Sequence, residues 1–413
     1  MTKENRQKIW DRAIILIDMN AFFASIEQFD FPELQGQPIG ITNGWDGTTI
    51  ITCSYEARAF GIKTGMRVKE AKKRCNSFVK RPSRPKRYIE ISSRIMNELI
   101  AFTPDVEVFS IDEAFLDITR CQKLLGNPEK IAQLVKKRVH DCSDGLLCSV
   151  GLSGDKTTAK YAAKLKKPDG LTVIPPWESK NVLHHVPVTD LCGIAKGIGS
   201  FLAERGVYVC GDMQNLPIGV LAKRFGNLGR RIWFMAQGLD PEPVNINVAP
   251  PKSIGHGKVM PPNTKDIYII KVFFLHMSEK VAERLRKYSF EAQRFFIGIK
   301  INGGWLSGKF YTNYATCDGR DIYKLCLSFL KKYWLGEGAY QVQITALDPK
   351  LRNQQLRLFD GINENRMDLY KAVDEVNQRY GNFSLSPARL MHRSKMPNVI
   401  APAWKPFGHR QTI

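Results

Sequence analysis

Two acidic residues stand side by side in Val108-Phe109-Ser110-Ile111-Asp112-Glu113-Ala114-Phe115-Leu116-Asp117-Ile118, between apolar runs. A third, Asp18, ends the run Ile14-Ile15-Leu16-Ile17. Both flanks of the pair have strand character, so Asp112 and Glu113 are expected at a tight connection between two buried strands. Adjacent buried carboxylates repel, and their burial is costly unless a proton or a cation offsets the charge. Strands that end in carboxylates therefore predict an acidic cluster for a divalent metal. Such a cluster suits two-metal phosphoryl transfer, in which ions about 3.5–4 Å apart bind a triphosphate and polarise an attacking hydroxyl. That chemistry needs positioning and charge neutralisation more than covalent steps, and rigid strand ends supply both. Taken singly, Asp112 could be a turn former and Asp18 a helix N-cap. Together, and on a strongly basic chain, they favour the metal.

Other residues could serve a triphosphate and its sugar. In Thr52-Cys53-Ser54-Tyr55-Glu56-Ala57-Arg58, Tyr55 and Arg58 are three apart, so on a helix they share a face and could grip phosphate oxygens. Arg58 paired with a nearby acid is an equal alternative. Lys167 ends the run Lys164-Leu165-Lys166-Lys167 before a turn and could add a phosphate contact, although such runs are more often solvated faces. Phe22 and Phe23 follow the Asp18 strand end. Two such aromatics are usually core, but one facing the metal could stack under a sugar and leave no room for a 2′-hydroxyl. Leu191-Cys192-Gly193-Ile194-Ala195-Lys196-Gly197-Ile198-Gly199 reads as a helix-hairpin-helix, whose backbone amides can cradle a DNA phosphate without reading sequence. Gln355-Leu356-Arg357-Leu358-Phe359 is either a peptide that anchors in a partner's groove or a short edge strand.

The bulk composition narrows the partners. A chain of 413 residues exceeds one ordinary core and predicts two to four domains. A formal net charge of +21 points to a polyanion, with nucleic acid first. No amphipathic basic helix or lipidation signal supports a lipid surface, and no run reaches signal-peptide or transmembrane length, so no membrane partner is expected. Nine cysteines without a Cys-x-x-Cys pair argue against zinc sites and a disulfide framework, and suit a reducing cytoplasm. With seven histidines, none at ligand spacing, a bound metal would be oxygen-ligated, which favours magnesium or manganese.

The elements that must position these residues follow from periodicity. Residues 13 to 175 alternate strands and helices, with helices expected over Phe22–Phe29, Val68–Cys75, Tyr88–Phe102, Pro128–His140 and Thr157–Lys166, and strands over Leu146–Leu152 and Leu171–Ile174. Residues 178 to 240 read as short helices broken by glycine, and the prolines from Pro241 to Pro251 as a linker. Residues 254 to 347 alternate again, with helices near Ile267–Tyr288 and Asp321–Tyr333, as in a small α+β domain. Beyond Gln354 one amphipathic helix presents Leu369, Val373 and Val376 on one face.

Five stretches in order, Asp18-Met19-Asn20-Ala21-Phe22-Phe23-Ala24, Ser54-Tyr55-Glu56-Ala57-Arg58, Phe109-Ser110-Ile111-Asp112-Glu113-Ala114, Ser149-Val150-Gly151-Leu152-Ser153 and Lys167-Pro168-Asp169-Gly170, resemble the Y-family of translesion DNA polymerases. The likeness covers nearly all of residues 13 to 360. It implies a multidomain α+β right-hand polymerase: a ferredoxin-like palm (13–24 and 77–175), small fingers (25–76), a helical helix-hairpin-helix thumb (178–240), a linker (241–253), an α+β little finger (254–347) and a C-terminal tail with a clamp-binding peptide (348–413). It also implies template-directed, error-prone synthesis without proofreading, on primer-template DNA with deoxynucleoside triphosphates, in the cytoplasm. By motif position Asp18, Asp112 and Glu113, helped by the Met19 carbonyl, resemble ligands of two Mg2+ ions, for which Mn2+ can substitute, and Glu113 also resembles the catalytic glutamate. Phe23 falls at the steric gate against ribonucleotides, and Phe22, Thr52, Tyr55, Arg58 and Lys167 match nucleotide contacts. Gly193, Lys196 and Gly197 match the thumb's DNA contact, and Gln355, Leu356, Leu358 and Phe359 a sliding-clamp peptide. Accessory SOS-type proteins are further expected partners.

Two departures stand out. Ala195 replaces the second glycine usual in the thumb hairpin, and 54 residues follow the clamp-like peptide. One branch of the family typically carries that peptide at its very end, so the extension makes the chain look closer to another branch. Two rivals remain: a non-catalytic scaffold recruiting polymerases to the clamp, against which all three carboxylates count, and a nucleotidyl cyclase, which needs no DNA-sized basic surface.

Overall fold

The computed structural model describes residues 10–45, 47–247, 250–352 and 364–392; the expected clamp residues Gln355, Leu356, Leu358 and Phe359 lie outside the described residues. The chain forms two compact units, divided between residues 248 and 249. No described helix is long and apolar enough to cross a membrane, and all nine cysteines are free thiols.

The first unit has strands β1 (Ile14–Met19), β2 (Ile39–Thr42), β3 (Ile50–Cys53), β4 (Val79–Pro82), β5 (Val106–Val108), β6 (Glu113–Asp117), β7 (Cys148–Ser153) and β8 (Leu171–Val173). Its main sheet runs β5-β6-β1-β7-β8, with β1 antiparallel to both neighbours and β8 parallel to β7. With helices Pro85–Leu99 and Pro128–Cys142 between strands, β1, β5, β6 and β7 make the ferredoxin-like split βαβ, and β8 extends it. β1 is apolar at successive positions because helices cover both sheet faces. Ile15 and Ile17 pack with Ile91, Ile95, Ile131 and Val135, whereas Ile14 and Leu16 meet Ala159 and Ala163 of helix Lys156–Leu165. That helix sits against the sheet because β7 carries Gly151; a Cβ there would lie 2.0 Å from the Ala159 carbonyl oxygen. Its start is fixed by Asp155, whose carboxylate accepts the Thr158 N–H at 2.9 Å.

Helix Pro85–Leu99 begins a turn earlier than its apolar periodicity predicts, because Pro85 occupies the first turn, where its missing N–H costs nothing. The small sheet β3-β2-β4 carries helix Tyr55–Ala59, capped by the Ser54 hydroxyl. Helices Ser179–Leu183, Lys196–Ala203, Ile218–Phe225 and Asn227–Met235 enclose a separate core that includes Leu183, Leu202, Met213, Leu221 and Ile232.

The stretch expected as a linker is not a free tether in its first half. Arg231 forks onto Asp240 at 2.8 and 2.9 Å, Arg12 donates to the Asp240 carbonyl at 2.9 Å, and the Asn245 N–H donates to Glu107 at 2.7 Å. Buried Lys156 completes the group at 2.7 Å from Glu107. A proline-rich segment has few backbone donors and no ladder, so buried side chains pin it instead.

The second unit holds β9 (Ser253–Thr264), β10 (Phe290–Ile301), β11 (Gly304–Thr316), β12 (Ala339–Leu347) and the short β13 (Lys350–Leu351), in the order β11-β10-β12-β9 with β13 on β10. Helices Ile267–Lys287 and Gly319–Tyr333 pack on the sheet through Ile270, Phe274, Phe329, Phe295 and Ile344. The tail helix Glu364–Tyr380 docks on this unit, but not by the face expected. Tyr370 is buried and donates to Asp318 at 2.6 Å, and Asp374 takes a two-armed bond from Arg286 at 2.7 Å each. Of the expected face, Val373 is half-buried beside Tyr370, and Leu369 and Val376 remain exposed. Charged partners on the receiving helices select this face, which apolar periodicity alone does not reveal.

β9 sets His256 among Arg284, Lys280, Lys258 and His276; burial first, then these cations, hold its pKa down to about 3. The unfolded chain accepts a proton there that the native state refuses. The resulting stability is complete above about pH 6.5 and is lost as pH falls towards 3. Thermal melts between pH 7 and 4 are expected to show acid destabilisation that His256→Gln reduces by about 1–3 kcal/mol; an unchanged slope overturns the assignment.

Candidate active site

The site forms where β1, β6 and β7 end. The register sets Asp18 of β1 opposite Glu113 of β6 on one side and Ser149 of β7 on the other. The turn before β6 is tight: the Phe109 and Ser110 N–H groups both donate to the Glu113 carbonyl, at 3.0 and 3.1 Å. The turn brings Asp112 against the end of β1, where the Met19 N–H donates to the Asp112 carbonyl at 2.9 Å. Strand pairing thus gathers Asp18, Met19, Asp112 and Glu113 at one edge.

Side chains then orient the acids. The Ser110 hydroxyl donates to Asp112 at 2.6 Å, Lys160 Nζ donates to both Glu113 oxygens at 2.7 and 2.8 Å, and Lys167 Nζ lies 2.5 Å from Asp18. Burial above all, and then the charges of Glu113 and Asp112, push the Asp18 pKa up to about 7 against the pull of Lys167. Burial and then Glu113 also raise the Asp112 pKa. Negative charge here is short of compensation even with two lysines present. Among the described residues no three acids are arranged to hold a metal ion, and lysines pair with Asp18 and Glu113. The donors, two Asp carboxylates and a backbone carbonyl beside them, are hard oxygens that fit a small divalent metal.

The expected nucleotide residues approach from β3 and helix Tyr55–Ala59. Arg58 lies 4.6 Å over the Tyr55 ring, and the Asp18 charge contributes to raising the Tyr55 pKa, after burial and the opposing effect of Arg58. The buried Tyr55 hydroxyl makes no well-formed hydrogen bond among the described residues, although Arg58 is near enough to oppose the rise in its pKa. Thr52 is half-buried on β3 and makes no side-chain hydrogen bond to the carboxylates. Lys164 and Lys166 are solvated, whereas Lys167 turns inward. Gly170 allows that turn, since a Cβ there would meet the Lys166 carbonyl oxygen at 2.1 Å. Asn20 ties the turn to β7: its amide donates to Ser149 at 2.9 Å, and its oxygen accepts the Asp169 N–H at 2.7 Å.

Phe22 is buried in the sheet core, whereas Phe23 is half-buried, with its ring stacked on Tyr88 at 4.3 Å and 11°. In the helical segment Gly193 has φ 93°, and both it and Gly197 face open space where a Cβ would stand. Lys196 begins helix Lys196–Ala203 and is exposed. Ala195 has φ −90°, an extended conformation that alanine adopts freely, so its replacement of glycine strains nothing. Gly193, Ala195, Lys196 and Gly197 are exposed, which leaves the hairpin backbone open on the surface.

Sequence reasoning missed Lys160, Ser110, Asn20 and Tyr88. Lys160 stands on helix Lys156–Leu165, which ends before Lys167, so no helical spacing links the two lysines and the sequence carries no signal for its role.

Comparison with known proteins gives consistent likenesses. The impB/mucB/samB family profile matches residues 17–164, and the profile of the same family's C-terminal domain matches 251–358. DNA polymerase IV of Moorella thermoacetica is 36% identical over 393 residues, covering 93% of this chain and 96% of that protein. DNA polymerase IV of Pelotomaculum thermopropionicum is 33% identical over 380 residues, covering 90% and 94%. Among solved structures, a Y-family DNA polymerase chimera matches with TM-score 0.71 and 26% identity, over 83% of this chain and all of that one.

Proposed function

The chain belongs to the Y-family of DNA polymerases, and on that premise we propose that Asp18, Asp112 and Glu113 form its nucleotidyl-transfer centre. It is a DNA-directed DNA polymerase of translesion synthesis, acting on primer-template DNA with deoxynucleoside triphosphates. The primer 3′-hydroxyl attacks the α-phosphate, and pyrophosphate leaves. The family uses divalent metal ions; we assign two Mg2+, replaceable by Mn2+, to Asp18, Asp112 and the Met19 carbonyl, with Glu113 towards the primer terminus. When bound, these ions neutralise the triphosphate and polarise the attacking hydroxyl.

The chain's own residues do the rest. Asp112 is aimed by Ser110 and Glu113 by Lys160, so neither carboxylate must be ordered during the reaction. Lys167, paired with Asp18 at 2.5 Å, brings a positive charge to the edge where phosphate oxygens would lie, and Arg58 and the Tyr55 hydroxyl add contacts beside Thr52. Phe23 forms the wall beneath the sugar, and Phe22 packs in the sheet core beside it, with ring centroids 5.8 Å apart. The observation that carries this reading is the register Asp18↔Glu113, with the Asp112 turn bonded to Met19 and buried positive charge on two of the three acids.

We assign the palm to 13–24 and 77–175, the fingers to 25–76, the thumb to 178–240 with its DNA contact at Gly193, Lys196 and Gly197, and the little finger to 254–347. Gln355, Leu356, Leu358 and Phe359 are assigned to a sliding clamp, with accessory SOS-type proteins as further partners of a cytoplasmic enzyme. Purified protein with primer-template, Mg2+ and deoxynucleotides is expected to extend the primer on intact and abasic templates, and to stop on chelation. A cyclic nucleotide without template, or no product at all, overturns the assignment in favour of a cyclase or a scaffold.

A further inference from the structure

Phe23 and Glu27 are four residues apart on helix Phe22–Asp30 and therefore share one face. Tyr88, from helix Pro85–Leu99, spans both. Its ring stacks on Phe23 at 4.3 Å, and its hydroxyl donates to Glu27 Oε1 at 2.8 Å. Both Tyr88 and the Glu27 carboxylate are fully buried. The Glu27 carboxylate is locked in turn: Arg84 Nε donates to Oε1 at 2.8 Å, and the Arg81 guanidinium stands 3.7 Å from Oε2. Arg84 also donates to Asp30 at 2.7 Å, so the clamp closes on the same helix that carries Phe23. Burial and the Glu27 charge both raise the Tyr88 pKa, which keeps the phenol a donor.

We propose that Tyr88 and Glu27 are positioning residues for sugar discrimination, fixing the plane of the Phe23 ring against the incoming nucleotide. This rests on reading Phe23 as the wall that meets the sugar. Ribose differs from deoxyribose by one oxygen, so a wall excludes it only as far as the wall resists displacement. Phenylalanine alone can yield by rotating about its side-chain bonds. With the Tyr88 ring flat against its back, Phe23 has no room to swing away. Tyr88 cannot withdraw without breaking its bond to a buried carboxylate that two arginines hold. A fully buried acid on a helix face thus gains a purpose beyond pairing with Arg84.

The test measures the ratio of kcat/KM for a deoxynucleotide to that for the matching ribonucleotide. Tyr88→Leu, which removes the stacking face, is expected to lower the ratio about tenfold, mainly by raising ribonucleotide use. Tyr88→Phe keeps the ring and loses only the anchor, so it should fold normally and lower the ratio about two- to fivefold, as should Glu27→Gln. In a Phe23→Val background, Tyr88→Leu should change the ratio no further, because it acts through Phe23. A purely structural role would instead depress both substrates equally and leave the ratio unchanged, and a route independent of Phe23 would lower the ratio further in the Phe23→Val background. Either result, or an unchanged ratio in both Tyr88 variants, overturns the proposal. If Phe23→Val itself leaves the ratio unchanged, the gate reading fails as well, so the two failures are distinguishable.

Discussion

Asp112→Asn is expected to abolish primer extension, cutting the single-turnover rate by at least about 10³-fold, while DNA affinity stays within about threefold. The amide keeps the shape of the carboxylate and can still accept the Ser110 hydroxyl, so the Phe109–Glu113 turn should persist. What disappears is one negative charge at the acidic edge. Burial and Glu113 already raise the Asp112 pKa, so its ionised form is unfavourable in the metal-free fold. Removing the charge should therefore raise the melting temperature of the metal-free protein even as activity vanishes. Opposite signs for stability and rate separate a functional charge from a structural one. On the proposed reading, contact to DNA phosphates comes from the +21 excess and the thumb hairpin, which the substitution leaves alone. Near-normal Mg2+-dependent extension by the variant would remove the central claim; a lowered melting temperature would remove the charge argument.

Phe23→Val is expected to reduce discrimination between deoxyribonucleotides and ribonucleotides by about 10²-fold. On the proposed reading, Phe23 meets the sugar as a wall and not as a partner for the 2′-oxygen. A half-buried ring backed by Tyr88 offers that oxygen a flat apolar face and no donor. Shortening the side chain opens a space about the size of a hydroxyl, and deoxynucleotide use should change far less. Phe22 is the control: it is buried in the sheet core, so Phe22→Val should act on stability, through the lost packing, and not on sugar choice. Unchanged sugar discrimination in Phe23→Val would refute the gate, and an effect of Phe22→Val on sugar choice would exchange the two roles.

The parts of the fold legible in the chain were those set by neighbours in sequence. The run ending at Asp18, the hairpin at Asp112 and the helices over Phe22–Asp30 and Pro128–Cys142 declare themselves by period and by turn chemistry. The groups that orient the site did not. Lys160 meets Glu113 across 47 residues, Tyr88 meets Glu27 across 61, and Asn245 meets Glu107 across 138. A lysine on a polar helix face, a tyrosine in an amphipathic helix and an asparagine among prolines each look solvated or merely packed until their partners are known. The tail helix shows the same limit, since its apolar stripe pointed to Leu369 and Val376 while Arg286 and Asp318 selected Tyr370 and Asp374.

By itself, then, the sequence determined which residue types reach the strand ends, and with them the acidic chemistry at Asp18, Asp112 and Glu113. Only the tertiary structure decided which cations hold those acids and what backs the Phe23 ring. Strand ends follow from local periodicity, which the chain carries in every window. The choice of a buried counter-charge depends on strand register and helix packing, which place residues far apart in sequence within 3 Å of one another.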